Sequence, residues 1–254
     1  MISKNQIKYI QSLHLKKNRE IENLYIIEGV KIVEEYLSQN YENIVVLYAV
    51  KDFIASHHIF FKDTNLKVEE ISEEELLKIS TQKSPNQVLA IVKKQKNTLN
   101  TSILATTNTL YLDDIRDPGN LGTIIRIADW FGIKQVVCSP TSTELYNPKT
   151  LQASMGAVLR VNVVYLPFVE IAKYFQNIAI YGALLNGKNI YSERLSNGLI
   201  VVGNEANGIS DEVKKHLTQP ITIPSAMSNG SESLNAANAC AIICSEFYRQ
   251  LNEA

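Results

Sequence analysis

Thr109-Leu-Tyr-Leu-Asp-Asp-Ile-Arg-Asp-Pro-Gly-Asn-Leu-Gly-Thr-Ile-Ile-Arg-Ile-Ala-Asp-Trp130 changes its hydrophobic pattern part-way along. Thr109–Asp113 is a short apolar run suited to a buried strand. From Leu121 the apolar residues fall at Leu121, Ile124, Ile125 and Ala128, the i, i+3, i+4, i+7 stripe of an amphipathic helix. A strand delivered into a helix through a polar loop is the repeating unit of an α/β fold. The alternation recurs downstream, with strands expected at Gln135–Cys138, Val161–Tyr165, Ile178–Leu184, Leu199–Val202 and Ile221–Ile223. A long helix from about Ser233 to Leu251 closes the chain. The pattern predicts a parallel sheet covered by helices. Ligands of such sheets bind beyond the carboxyl ends of the strands. The informative loops are therefore those after Asp113, Leu184, Val202 and Ile223.

Upstream, the same alternation is smaller in scale. Leu24–Ile27, Ile44–Tyr48 and Val88–Val92 read as strands, and Val30–Leu37 and Glu73–Ile79 as helices. Ser72 with Glu75 three residues later is a capping box. The first 19 residues carry Lys4, Lys8, Lys16, Lys17 and Arg19 without an acid, and read as one basic amphipathic helix. Its polar face is either solvated or a phosphate contact. Residues 96–106 are polar and rich in Thr and Asn, as in a linker. The expected organisation is 1–95 as a small α/β domain, 96–106 as linker and 107–254 as the parallel-sheet domain.

The chain has 254 residues, 45% hydrophobic and 20% charged, which excludes a disordered or fibrous protein. With 25 Lys+Arg against 26 Asp+Glu, net charge neither announces nor excludes a polyanionic partner. Three cysteines are too few for a disulfide scaffold and suit a reducing compartment. No apolar run approaches the ~18 residues of a membrane span, and no signal peptide is visible, so a cytoplasmic protein without a membrane partner is expected.

Neither a P-loop nor a G-x-G-x-x-G dinucleotide fingerprint occurs. No metal site is expected. The four histidines lie outside the candidate loops, and Cys240 and Cys244, at i,i+4 on an apolar helix, read as core. Without histidine, any general base in these loops is of another kind. The loop after Asp113 ends at Asn120, read as the helix N-cap. It leaves Arg126 on another face, either for a ligand or for a surface pair with Asp129. Gly203-Asn-Glu-Ala-Asn-Gly208 follows an apolar strand, and its glycines allow a tight turn that presents Glu205. Ile223-Pro-Ser-Ala-Met-Ser-Asn-Gly-Ser-Glu-Ser-Leu-Asn235 leads into the last helix, with Ser233 as its cap and Asn235 in its first turn.

Taken in order, Asn120-Leu-Gly122 with Arg126, Gly203-Asn-Glu205 with Gly208, and Ile223-Pro224 with Ser233-Leu-Asn235 resemble the three motifs of the SpoU-type RNA ribose 2′-O-methyltransferases, members of the SPOUT superfamily. The stretch around Ile27-Glu28-Gly29 is similar to the RNA-binding domain fused ahead of many members. The resemblance implies a deep trefoil knot in the C-terminal domain, S-adenosylmethionine as cofactor, no metal, and a homodimer acting on RNA. It implies cofactor contacts at Leu184, Gly203, Ile223 and Leu234, and catalytic roles for Asn120, Arg126, Glu205, Ser233 and Asn235. The fused domain points to ribosomal RNA. A transfer-RNA enzyme, or a methylation-silent RNA-binding factor on the same fold, are the alternatives. Residues 224–232 depart from the family's compact Pro-Met run, displacing Met227, and Asn204 and Asn207 replace commoner neighbours of Glu205.

Overall fold

The computed structural model describes residues 2–62, 64–226 and 233–252. The chain forms two compact units, one of residues 1–96 with 146–159, the other of 97–145 with 160–254.

In the first unit α1 (Lys4–Ser12), α2 (Lys16–Glu22), β1 (Leu24–Glu28), α3 (Val30–Gln39), β2 (Ile44–Ala49), α4 (Lys51–Ser56), α5 (His58–Phe61), β3 (Val68–Glu70), α6 (Glu73–Ile79) and β4 (Val88–Lys93) follow one another. The sheet order is β1-β4-β2-β3, with β4 antiparallel to both neighbours and β3 parallel to β2. The Ser72–Glu75 capping box forms as expected, and a second one joins Ser3 to Gln6 at α1. The basic opening is two helices rather than one, because the chain turns at 13–15. Arg19 is buried and donates from Nη1 to the Leu13 carbonyl at 2.9 Å, so it braces that turn and leaves the basic face to the lysines.

The second unit begins with β5 (Thr109–Asp113), α7 (Pro118–Trp130) and β6 (Gln135–Cys138). The next segment, with α8 (Pro148–Ser154), belongs to the first unit, where Leu151 is buried in the core and Tyr146 packs on Tyr25 at a centroid distance of 4.4 Å. Burying one leucine contributes on the order of 2 kcal/mol, so this segment is a structural part of the first unit. The chain returns for β7 (Asn162–Tyr165), α9 (Phe168–Ala172), β8 (Ala179–Asn189), β9 (Gly198–Gly203), α10 (Asp211–Lys214), β10 (Gln219–Thr222) and α11 (Ala236–Asn252).

The six strands are all parallel in the order β10-β8-β9-β5-β6-β7. From β5 the chain steps outward to β6 and β7, then crosses to fill the other side. The order reverses beside β5, and that is where such sheets bind ligands. β8 runs five residues past the expected end at Leu184. Its pairing with β10 jumps from Pro220↔Gly182 to Ile221↔Lys188, so 183–187 stand out of the ladder. Gly187 makes this possible, since a Cβ there would overlap the Ile221 backbone. Ala237, Cys240 and Cys244 of α11 are buried, as their helical stripe predicts. Burial pushes the Cys138 thiol up to about 12, and the contact with the Cys244 sulfur, together with burial, raises the Cys240 thiol, so neither offers a thiolate.

Candidate active site

The irregular part of β8 at 183–186, the loops after β9 and β10 and the start of α11 surround one cavity of about 610 Å³, within the range of small-molecule sites. Leu184, Val202, Ile209, Ile221, Ile223 and Ile243 supply apolar walls, while Glu205, Asn207, Ser233 and Lys214 add polar groups. Leu234 lies in the wall and is still 48% exposed.

Asp113 and Asp114 set the loop geometry. Asp113 Oδ2 accepts from the Ser210 N–H at 2.7 Å, holding the end of the 203–210 turn against the end of β5. Asp114 sits at φ +58°, a left-handed conformation that a non-glycine residue adopts only under local constraint. Its carbonyl accepts from Asn204 Nδ2 at 2.8 Å. Asn204 is 8% exposed, and its Oδ1 accepts from the N–H groups of Ala206 and Asn207, at 2.9 and 3.1 Å. Its backbone closes the turn with Gly208 through two hydrogen bonds of 3.0 and 2.9 Å. Gly208 takes φ +67°, and a Cβ at Gly203 would overlap the Gly208–Ile209 backbone. The departure at Asn204 is thus the residue that organises the turn and fixes where Glu205 points.

Asn120 is not the N-cap of α7. Asp117 takes that place, its Oδ1 accepting from the Asn120 N–H at 2.8 Å, with Pro118 in the first helical turn. Proline suits that turn because its missing N–H has no intrahelical partner there. With Asp117 capping, the Asn120 side chain is free to reach across the loops. Its Nδ2 donates to Glu205 Oε1, and its Oδ1 accepts from Asn235 Nδ2 at 3.0 Å. Asn235 rather than Ser233 meets the first turn of α11, its Oδ1 accepting from the N–H groups of Ala237 and Asn238 at 2.9 and 3.3 Å. The amide orientations follow from one end. The helix N–H groups require the Asn235 oxygen, so its nitrogen faces the Asn120 oxygen, and the Asn120 nitrogen faces the carboxylate. Three loops separated by up to 115 residues are joined in one directional chain.

The structure therefore brings Asn120, Glu205 and Asn235 together, and sets Ser233, Leu184, Gly203, Ile223 and Leu234 around the same cavity. It does not bring Arg126 into that hydrogen-bonded chain. Six residues along an α-helix turn it about 240° from Asn120, and it is exposed. The Arg126–Asp129 pair is absent. Asp129 instead accepts from Arg160 Nε at 2.8 Å. Met227, with the rest of 227–232, lies outside the described residues. Sequence reasoning missed Asp113, Asp114 and Asn204 as organisers. Their polarity at strand ends was visible, but their partners are 90–97 residues away. Among the described residues no cluster of metal-ligating side chains occurs, and no helix is long and apolar enough to cross a membrane.

Residues 4–90 match the MRM3-like substrate binding domain. A TrmH-family structure from Porphyromonas gingivalis shares 37% identity and a TM-score of 0.84 over 98% of this chain and 99% of its own. The SpoU methyltransferase AviRb from Streptomyces viridochromogenes, solved with AdoMet, superposes at a TM-score of 0.86 over 98% of both chains; at 21% identity this is likeness of fold. A 23S rRNA (guanosine(2553)-2′-O)-methyltransferase, RlmP of Bacillus subtilis, is 30% identical over 95% of both chains. With residues 107–245, more than half of its length, matching the SpoU rRNA Methylase family, the chain belongs to that family.

Proposed function

We propose that this protein transfers a methyl group from S-adenosylmethionine to a ribose 2′-hydroxyl of ribosomal RNA, as a cytoplasmic homodimer. The observation that carries the reading is the Glu205–Asn120–Asn235 chain at the mouth of an apolar cavity of about 610 Å³. The cavity suits a nucleoside cofactor. It has apolar walls for an adenine, exposed Leu234 surface that a ligand would cover, and loop backbone at strand ends for polar atoms. Leu184, Gly203, Ile223 and Leu234 are the residues that would hold it. When bound, the cofactor supplies an electrophilic methyl group. Asn120, Glu205, Ser233 and Asn235 orient the ribose, and Arg126 sits on the RNA phosphate and stabilises charge developing on the attacking oxygen. The first unit selects the RNA, a role supported by its match to a substrate-binding domain. The reading includes a trefoil knot, as the family resemblance implies.

Calorimetry with S-adenosylhomocysteine tests the cofactor. Binding is expected, undiminished by EDTA because no metal takes part, and absence of binding at millimolar ligand sinks the assignment. The dimer is supported by apolar surface on two helices packed on each other, α7 and α11. Trp130 is 82% exposed and Tyr248 51%, apolar surface that pairing would cover. Light scattering is expected to give twice the 28.5 kDa of the chain; the single mass at micromolar concentration contradicts pairing.

A further inference from the structure

The first unit holds a cavity of about 620 Å³, comparable in size to the one assigned to the cofactor, and wholly lined by its own residues. Its walls come from three separated stretches. His14 stands at the turn between α1 and α2. Lys83 and Ser84 lie in the loop between α6 and β4. Asn147, Lys149 and Gln152 lie in the segment that departs from the parallel-sheet unit. Among the described residues no carboxylate lines it. The acid at the root of the 80–84 loop, Glu28, is engaged by the hydroxyls of Ser80 and Thr81 and by the Thr81 N–H. That carboxylate fixes the loop instead of opposing an anion.

The donors are set by local structure. Asn147 Oδ1 accepts from the Lys149 N–H at 2.9 Å, which leaves its Nδ2 as a donor. His14 Nε2 lies 2.9 Å from the Ile79 carbonyl, so that nitrogen carries the ring proton and the residue ties the helix turn to the end of α6. Lys83 and Lys149 are exposed and have no ion-pair partner among the described residues. Two free lysines with amide and hydroxyl donors around a concave surface, and no acid among them, fit a phosphodiester backbone. Hydroxyl, amide and ammonium donors contact phosphate and sugar oxygens in this way.

We infer that this groove is an RNA backbone-binding site, and that residues 146–152, although they fall inside the stretch matched to the methylase family, serve substrate recognition. The inference rests on the methyltransferase reading and deepens it. It assigns Lys83 and Lys149 as two phosphate contacts.

The test is a salt titration of the full-length chain against a labelled 23S rRNA transcript, alongside the double variant Lys83→Gln/Lys149→Gln. Each lost phosphate contact lowers the slope of log affinity against log salt by about 0.7–0.9. The double variant is therefore expected to lose about 1.5 from the slope and at least ~10-fold in affinity at moderate salt. The KM for RNA rises while turnover at saturating RNA and S-adenosylhomocysteine affinity stay unchanged. Substitution of exposed lysines is nearly neutral for stability, and an unshifted melting temperature confirms the fold. Lys83→Arg/Lys149→Arg is expected to restore the slope. An unchanged slope and KM in the Gln variant overturns the groove. If the unaltered chain fails to bind S-adenosylhomocysteine or to transfer a methyl group, the methyltransferase reading falls instead, and the RNA titration still decides the groove.

Discussion

Arg126→Lys is expected to lower turnover by at least ~100-fold while leaving S-adenosylhomocysteine affinity unchanged. The attacking ribose hydroxyl must lose a proton, and no histidine lies in the candidate loops or in the cavity wall. A guanidinium, with a pKa above about 12, is a poor base at neutral pH. In the proposed mechanism the value of Arg126 lies in its planar fork of donors, which would grip a phosphate in one orientation and place positive charge beside the oxygen that becomes anionic. Lysine keeps the charge and loses the fork. The local structure leaves Arg126 available for this. Asp129, the acid in its own helix that could hold it, is taken by Arg160, and among the described residues Arg126 has no ion-pair partner. Single-turnover methylation with saturating RNA reads the chemical step. Near-normal turnover in the lysine variant removes Arg126 from the mechanism.

Asn235→Asp is expected to separate stability from activity. Asparagine and aspartate are equally good at the start of a helix, and a carboxylate there gains a further 0.3–1 kcal/mol or so from the helix dipole. The melting temperature should hold or rise slightly. A carboxylate, however, has no N–H to offer the Asn120 oxygen that Asn235 Nδ2 now contacts at 3.0 Å. Two oxygens would face each other, and the Asn120 amide would lose the orientation that aims its nitrogen at Glu205. Loss of one preorganised donor in an active site typically costs about 10²–10³ in rate, and a loss of that order in turnover is expected. A drop in melting temperature together with activity would show Asn235 to be only structural. Full activity would show that the chain of amides plays no part in catalysis.

The parts of the fold that were legible in the chain are those governed by local periodicity. The limits of β5, β6 and α6 follow from their apolar spacing and, for α6, from the Ser72 capping box. The parallel arrangement follows from strands separated by helices. The candidate loops could be named because a parallel sheet collects ligands beyond the carboxyl ends of its strands. What stayed hidden was decided by competition between neighbours. Asp117 and Asn120 are both good caps. Proline at 118 tips the choice to Asp117, and only then is Asn120 free to leave the helix end. Ser233 and Asn235 compete in the same way, and Asn235 wins by bonding both α11 and Asn120. The extension of β8 beyond Leu184 depends on β10 resuming its pairing after skipping five residues, which no window of sequence contains.

The sequence by itself determined the element types, the parallel sheet, the ordered motifs and hence the identity of most of the residues around the cavity, because each rests on contacts within a few residues. Tertiary structure alone decided three things. It decided that Arg126 makes no pair with Asp129, since Arg160 arrives from 31 residues away to claim that acid. It decided that Asn204 is an organiser rather than a neutral replacement, since its partner at Asp114 is 90 residues distant. It decided that residues 146–159 build the first unit, because Leu151 and Tyr146 find their apolar partners there. In each case the deciding energy is a hydrogen bond or buried contact between segments far apart in the chain, and local pattern carries no information about which distant partner a side chain will meet.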